Sequence, residues 1–161
     1  MTEATAFDAL RASRLSAELT DAQCQVLSGL LAFRSLKDGE VLVPEGTSDN
    51  HLHVVVSGSL AVVRGAGAPE ELTLFTLTAG DLVGELSFLD GTVHYASVVA
   101  RGPARVFGIE REQLESLLDG QPHIVYRVMR AIIRTVHQIQ RRLSAQSVEL
   151  TNYIYKQHGR Y

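Results

Sequence analysis

Residues 84–98 run Gly-Glu-Leu-Ser-Phe-Leu-Asp-Gly-Thr-Val-His-Tyr-Ala-Ser-Val and offer more chemistry than any other stretch. A Gly84-Glu85 pair opens it, a short apolar turn follows, and Asp90-Gly91-Thr92 leads to His94 and Tyr95. Ser87 and His94 are the residue types of a nucleophile–base pair. No motif supplies an orienting acid or an oxyanion hole, so catalysis is not expected. His94 has the side chain of a pH switch, because a free imidazole titrates at roughly pH 6.5. His51 and His53, two apart, share one face of an extended strand. A metal site needs a third ligand, and Val54-Val55-Val56 supplies none, so no metal is expected. Cys24 is expected to be a buried, inert thiol, since no basic residue lies close in sequence to activate it.

Three zones must position these groups. Residues 1–36 read as an N-terminal helical segment. Thr20 and Gln23 have capping-box spacing, and Val26, Leu27, Leu30 and Leu31 follow on one helical face. Residues 37–109 read as short strands between turns. Apolar runs at 41–43, 51–56, 59–63, 72–77, 96–100 and 105–109 alternate with glycines, the pattern of a β-barrel or sandwich. Residues 65–70 suit an exposed hairpin loop, and 85–89 suit a single helical turn. Residues 110–161 read as helical again. A short helix over 110–118 ends at Asp119-Gly120, and Pro122 suits the first turn of a long helix running to about 155. The tail 158–161 is expected to fray.

The long helix carries apolar residues at alternating spacings of four and three: Val125, Met129, Ile132, Val136, Ile139, Leu143, then Gln146, Leu150 and Tyr153. This is a heptad seam, and its one polar member, Gln146, can fix register and oligomeric state. It predicts a homodimer through this helix, with Val128 and Ile133, off the seam, touching the strand domain. Arg127, Arg130, Arg134, Arg141 and Arg142 make the helix locally basic, with no acidic residue between Gly120 and Val148. A solvated face, or pairing with acids on the barrel, accounts for this without nucleic acid. With the sequence ending at Tyr161, no helix-turn-helix is expected after the helix.

Composition narrows the class. The 161 residues suit one domain, 45% of them are hydrophobic, and the net charge of −3 exerts no general pull toward nucleic acid or membrane. A single cysteine excludes an internal disulfide. The N-terminus has no basic or apolar signal region, and no apolar run approaches the roughly 20 residues of a membrane span. A cytoplasmic protein is expected.

The zone order and two motifs together resemble the cyclic-nucleotide-binding domain family, as in catabolite activator proteins and protein kinase A regulatory subunits. LKDGEVLVPEGTSDNHLHVVVSGSLAVV (36–63) is similar to the family's opening strands, with Gly39, Gly46 and Gly58 at the turns. GDLVGELSFLDGTVHYASVVA (80–100) is similar to its phosphate-binding cassette without a gap. The resemblance covers about residues 20–145. It implies an α+β fold: an eight-stranded antiparallel β-roll, jelly-roll-like, flanked by N-terminal helices and a long C-terminal helix.

It also assigns roles. Glu85, after Gly84, would accept a hydrogen bond from a ribose 2′-hydroxyl. The backbone at Leu86, Ser87 and Ala96 would wrap a cyclic phosphate. The family then places an arginine against the phosphate and a small residue after it, where this chain has His94 and Tyr95. A charge-assisted hydrogen bond contributes roughly 1.5–3 kcal/mol, so losing the pair weakens binding by roughly ten- to several-hundred-fold. The Tyr95 ring can also fill the phosphate pocket. The implied protein is a stand-alone regulatory module, not an enzyme, that does not bind cyclic AMP or cyclic GMP in the usual way. It would pass its signal to an unidentified protein partner. An alternative is a functional cyclic nucleotide sensor with a non-standard phosphate site. A further alternative is a cupin-like metal-dependent enzyme, from Gly46, His51, His53 and Gly58, although the later cupin motif is missing. No cofactor is expected other than a cyclic nucleotide ligand.

Overall fold

The computed structural model describes residues 3–158. Helix α1 spans Glu3–Arg11, a short 3-10 turn follows at Arg14–Ser16, and α2 spans Asp21–Ser28. The α2 capping box is formed: the Gln23 N–H donates to Thr20 Oγ1 and the Thr20 N–H to Gln23 Oε1. Cys24 and Leu27 are buried, but Val26 is exposed, and Leu30 and Leu31 lie beyond the helix end. Burial pushes the Cys24 thiol upward. Arg11, brought close only by the fold, offsets part of that shift.

The strands begin at Ala32, not at 37: β1 (Ala32–Leu36) pairs antiparallel with β8 (Ala104–Glu110). The others are β2 (Val41–Val43), β3 (His51–Ser57), β4 (Leu60–Arg64), β5 (Leu72–Leu77), β6 (Leu82–Val83) and β7 (Ser97–Ala100). They form two four-stranded antiparallel sheets, ordered β1-β8-β3-β6 and β2-β7-β4-β5. Strand alternation divides the interior into two layers. Leu52, Val54, Phe107 and Ile109 point to a core shared with the helices. Val55 and Val106 point to a second core with Leu60, Val62 and Val98 of the facing sheet.

Helix α3 (Glu85–Asp90) lies in the cassette, and α4 (Arg111–Glu115) follows β8 with Glu110 and Gln113 in a second capping box. Helix α5 runs from Pro122 to His158. Its first turns bury Ile124, Val128, Ala131 and Ile132 in the helical core. Ile132 is therefore core rather than free seam, Val128 packs inward as expected, and Ile133 is 54% exposed instead of touching the strand domain. The cause is helical phase, because 124, 128, 131, 132 and 135 share the stripe that faces the sheet. From 141 to 156 every described residue is exposed. Residues 159–161 of the expected frayed tail lie outside the described residues. No helix among the described residues is long and apolar enough to cross a membrane.

An acid does pair with two of the α5 arginines, but from the N-terminal segment rather than the strands. Glu18 meets Arg130 and Arg134, each at 3.0 Å, and the Arg127 guanidinium donates to Gln23 Oε1 at 2.9 Å. These contacts fasten the start of the chain to its last helix.

The turn between β3 and β4 depends on Gly58. Its φ is +82°, and a Cβ there would sit 2.5 Å from the Pro103 carbonyl oxygen and 2.8 Å from Ala104 Cα. Both obstacles are backbone and cannot rotate away. Gly58→Ala is therefore expected to cost about 2–4 kcal/mol in urea unfolding. A loss below about 1 kcal/mol would show that the β3–β4 turn tolerates an ordinary side chain.

Candidate functional site

The cassette sits where α3 interrupts the strands. Gly84 caps α3 in the left-handed conformation, at φ 77° and ψ 23°. A Cβ there would make only ordinary contact with the His51 carbonyl oxygen at 3.4 Å and His94 Cε1 at 3.5 Å, so the positive φ rather than space favours glycine. Gly91, also left-handed, ends the helix. Between them Phe88 is buried in the helical core and anchors α3 from below, while Arg111 donates to the Phe88 carbonyl at 3.3 Å. Beyond the helix, the Thr92 N–H donates to Asp90 Oδ1 at 2.9 Å and tightens the exposed turn.

A cleft opens above α3. Glu85, Tyr95, Phe75 and Val98 are among its walls, and Ile139 of α5 lies across it. About 60 Å³ of it is open to water-sized molecules. Gly84, Glu85, Leu86, Ser87, His94, Tyr95 and Ala96 all line this cleft, so the fold brings the seven cassette residues singled out in the sequence together. Among the described residues no lysine or arginine lines it.

Each group has a defined state. Burial pushes the Glu85 carboxyl above its ordinary range, while its own backbone N–H and the nearby His94 pull it partly back. Tyr95 is 52% exposed, so it flanks the cleft rather than plugging it. Burial and the Glu85 charge both raise its phenol. Ala96 is buried in the core between the sheets and Leu86 is exposed. Ser87 is buried, and its hydroxyl is committed to the loop after β2: it accepts from the Asp49 N–H and donates to the Asp49 carbonyl, each at 2.8 Å. That leaves no hydroxyl poised as a nucleophile toward His94.

The His94 side chain is only 8% exposed, and its Nε2 has no hydrogen-bond partner. The Asp49 carboxylate is the acid beside it, with Oδ2 3.6 Å from Nε2. Two backbone bonds hold the segments together, from the His94 N–H to the Thr47 carbonyl and from the Gly46 N–H to the His94 carbonyl. Asp49 is the site residue that sequence reasoning missed. It belongs to a turn-type segment, Thr-Ser-Asp-Asn, with no motif of its own.

His51 and His53 stack with ring centroids 5.8 Å apart, and His51 Nε2 lies 3.4 Å from Glu110. His53 faces the inside of the roll over Gly108, where a Cβ would meet its ring at 3.0 Å. Among the described residues no three of His, Cys, Asp or Glu are placed to hold a metal ion. Arg101 is at the surface, paired with Glu71, and takes no part in the cleft.

Comparison with known proteins agrees with this geometry. The cyclic nucleotide-binding domain family matches residues 33–121. Patatin-like phospholipase domain-containing protein 7 of Rattus norvegicus is 27% identical over 137 residues, covering 82% of this chain but 10% of that protein. The chain thus matches only a small part of that relative. A cyclic nucleotide-binding domain structure from Methylobacillus flagellatus superposes with a TM-score of 0.78 at 19% identity, covering 91% of this chain and 83% of the other. A regulatory subunit of a cAMP-independent protein kinase A from Trypanosoma brucei superposes with a TM-score of 0.71 at 22% identity, covering 88% and 51%. That structure is a triple mutant, one change being threonine to arginine, bound to cAMP in the A site.

The burial of His53 has a measurable consequence. Desolvation lowers its pKa to about 4, with Asp49 opposing the shift. The unfolded chain takes up this proton near pH 6.5 and the folded chain only near 4, so between those values the unfolded state binds more protons. Stability from this residue is complete above about pH 6.5 and falls as pH drops toward 4, by about 2–3 kcal/mol. Urea melts at pH 7.5, 5.5 and 4 should show this loss, and His53→Phe should lack that share of it. Parallel curves for the two proteins would contradict the assignment.

Proposed function

The chain belongs to the cyclic nucleotide-binding domain family, and from that premise we propose that it is a regulatory module whose cleft does not bind cyclic AMP or cyclic GMP in the usual way. The observation that carries this reading is the cleft lining. Among the described residues it has the ribose-side carboxylate, Glu85, but no lysine or arginine, and His94 stands where the resemblance places the phosphate arginine. A neutral or singly donating imidazole cannot reproduce the two parallel bonds of a guanidinium to phosphate. Calorimetric titration of the native protein with cyclic AMP and with cyclic GMP is expected to show no binding heat up to millimolar nucleotide. Saturation at micromolar concentration would sink the reading.

The module acts as a homodimer through α5 and passes its state to a protein partner in the cytoplasm. Met129, Val136 and Ile139 of the seam are half-buried, and Val125 with them. Leu143, Gln146, Leu150 and Tyr153 continue the seam on the exposed half of the helix. An isolated helical segment of that length is marginal in water, so a second helix laid along the seam stabilises it. Ile139 both lines the cleft and belongs to the seam, so a ligand that displaced it would shift the dimer contact. Sedimentation equilibrium at tens of micromolar should give a dimer for the native protein. Leu143→Glu combined with Leu150→Glu should give a monomer with weaker helical ellipticity. A native monomer would overturn the dimer.

A further inference from the structure

The fold sorts the arginines of α5 into two groups. Arg130 and Arg134 meet Glu18, and Arg127 donates to Gln23 Oε1. Arg141 and Arg142 are exposed and have no ion pair or hydrogen bond among the described residues. Ser144 follows them in the order Arg-Arg-Leu-Ser. It too is exposed, and its hydroxyl is unbonded among the described residues. It occupies an outer heptad position beside Leu143, so a second helix along the seam would leave it open. Other hydroxyls with an arginine just ahead are placed differently. Ser13, Ser16 and Thr135 are buried and donate to backbone carbonyls. Ser35 follows a single arginine and lies within the β1–β8 ladder. We propose that Ser144 is a phosphorylation site, for a serine kinase whose own acidic groups read two guanidiniums ahead of the target. Ser144 Oγ attacks the γ-phosphorus of ATP, the bond from that phosphorus to the ADP oxygen breaks, and the hydroxyl proton passes to the kinase's base. A kinase takes its target segment extended, so α5 must unwind locally there. Every described residue from 141 to 156 is exposed, and a helix without tertiary packing is marginal in water, so little opposes that unwinding. The phosphoserine carries about 1.5–2 negative charges, one turn from Arg141 and close to Arg142. It cancels the basic patch on the part of α5 offered to a partner, whether or not the cleft binds a nucleotide.

The full chain is incubated with ATP and the catalytic subunit of protein kinase A, a kinase with an acidic substrate groove, and followed by intact mass and peptide mapping. The native protein is expected to gain one phosphoryl group, mapped to Ser144, and Ser144→Ala to gain none. Arg141→Ala with Arg142→Ala keeps the serine and is expected to slow the reaction by at least about tenfold. A peptide of residues 137–150 tests whether the folded chain shields the site. It is expected to react at most about tenfold faster than the folded chain, the cost of unwinding a marginal helix. A peptide faster than that, phosphate at Ser147 or elsewhere, an unchanged rate in the arginine variant, or no incorporation would each overturn the proposal.

Discussion

Alternation along β3 and β8 sets out the whole interior. Leu52, Val54, Phe107 and Ile109 face the helices, while His53, Val55 and Val106 face the inside of the roll. A sheet buried on both sides cannot slip by one residue, since a slip would exchange the two faces. It therefore fixes where the helical layer packs on one side and where the cassette opens on the other. Phe88 joins the two, because it descends from α3 into the helical core while its neighbours Glu85 and Ser87 remain at the cleft.

That arrangement separates scaffold from chemistry. Gly84 and Gly91 give α3 its left-handed entry and exit, and neither depends on what the cleft binds. Charge in the cleft is a separate matter. Glu85 is a half-buried carboxyl with a raised pKa, and His94 stands beside the Asp49 carboxylate. The packing of the fold and the charge of its cleft can therefore vary independently. Packing needs volume and backbone geometry, whereas phosphate recognition needs donors and positive charge.

Helix α5 has two regimes. Its first half is amphipathic toward its own domain, burying Ile124, Val128 and Ile132 and gripping Glu18 through Arg130 and Arg134. Its second half presents Leu143, Leu150 and Tyr153 to solvent. Ile139 stands at the changeover, over the cleft. The heptad periodicity runs through both halves, so periodicity alone cannot say where intramolecular burial stops.

Much of the fold was legible because its signals are local. The Thr20–Gln23 box, Pro122 at the start of α5, the positive-φ turn glycines and the Gly84-Glu85 spacing act within a few residues. Strand β1 was not legible: most of Ala32–Leu36 is exposed or half-buried, and its partner β8 lies at the far end of the roll. Two-residue β6 is too short to show a period. Sequence alone determined the family, the starts of α2 and α5 and the histidine at position 94. Only the tertiary structure decided that Ile132 is core, that Arg130 and Arg134 are met by Glu18, and that Asp49 stands beside His94. Those outcomes depend on helical phase and on contacts between remote segments, and local propensity carries no information about which distant side chain will arrive.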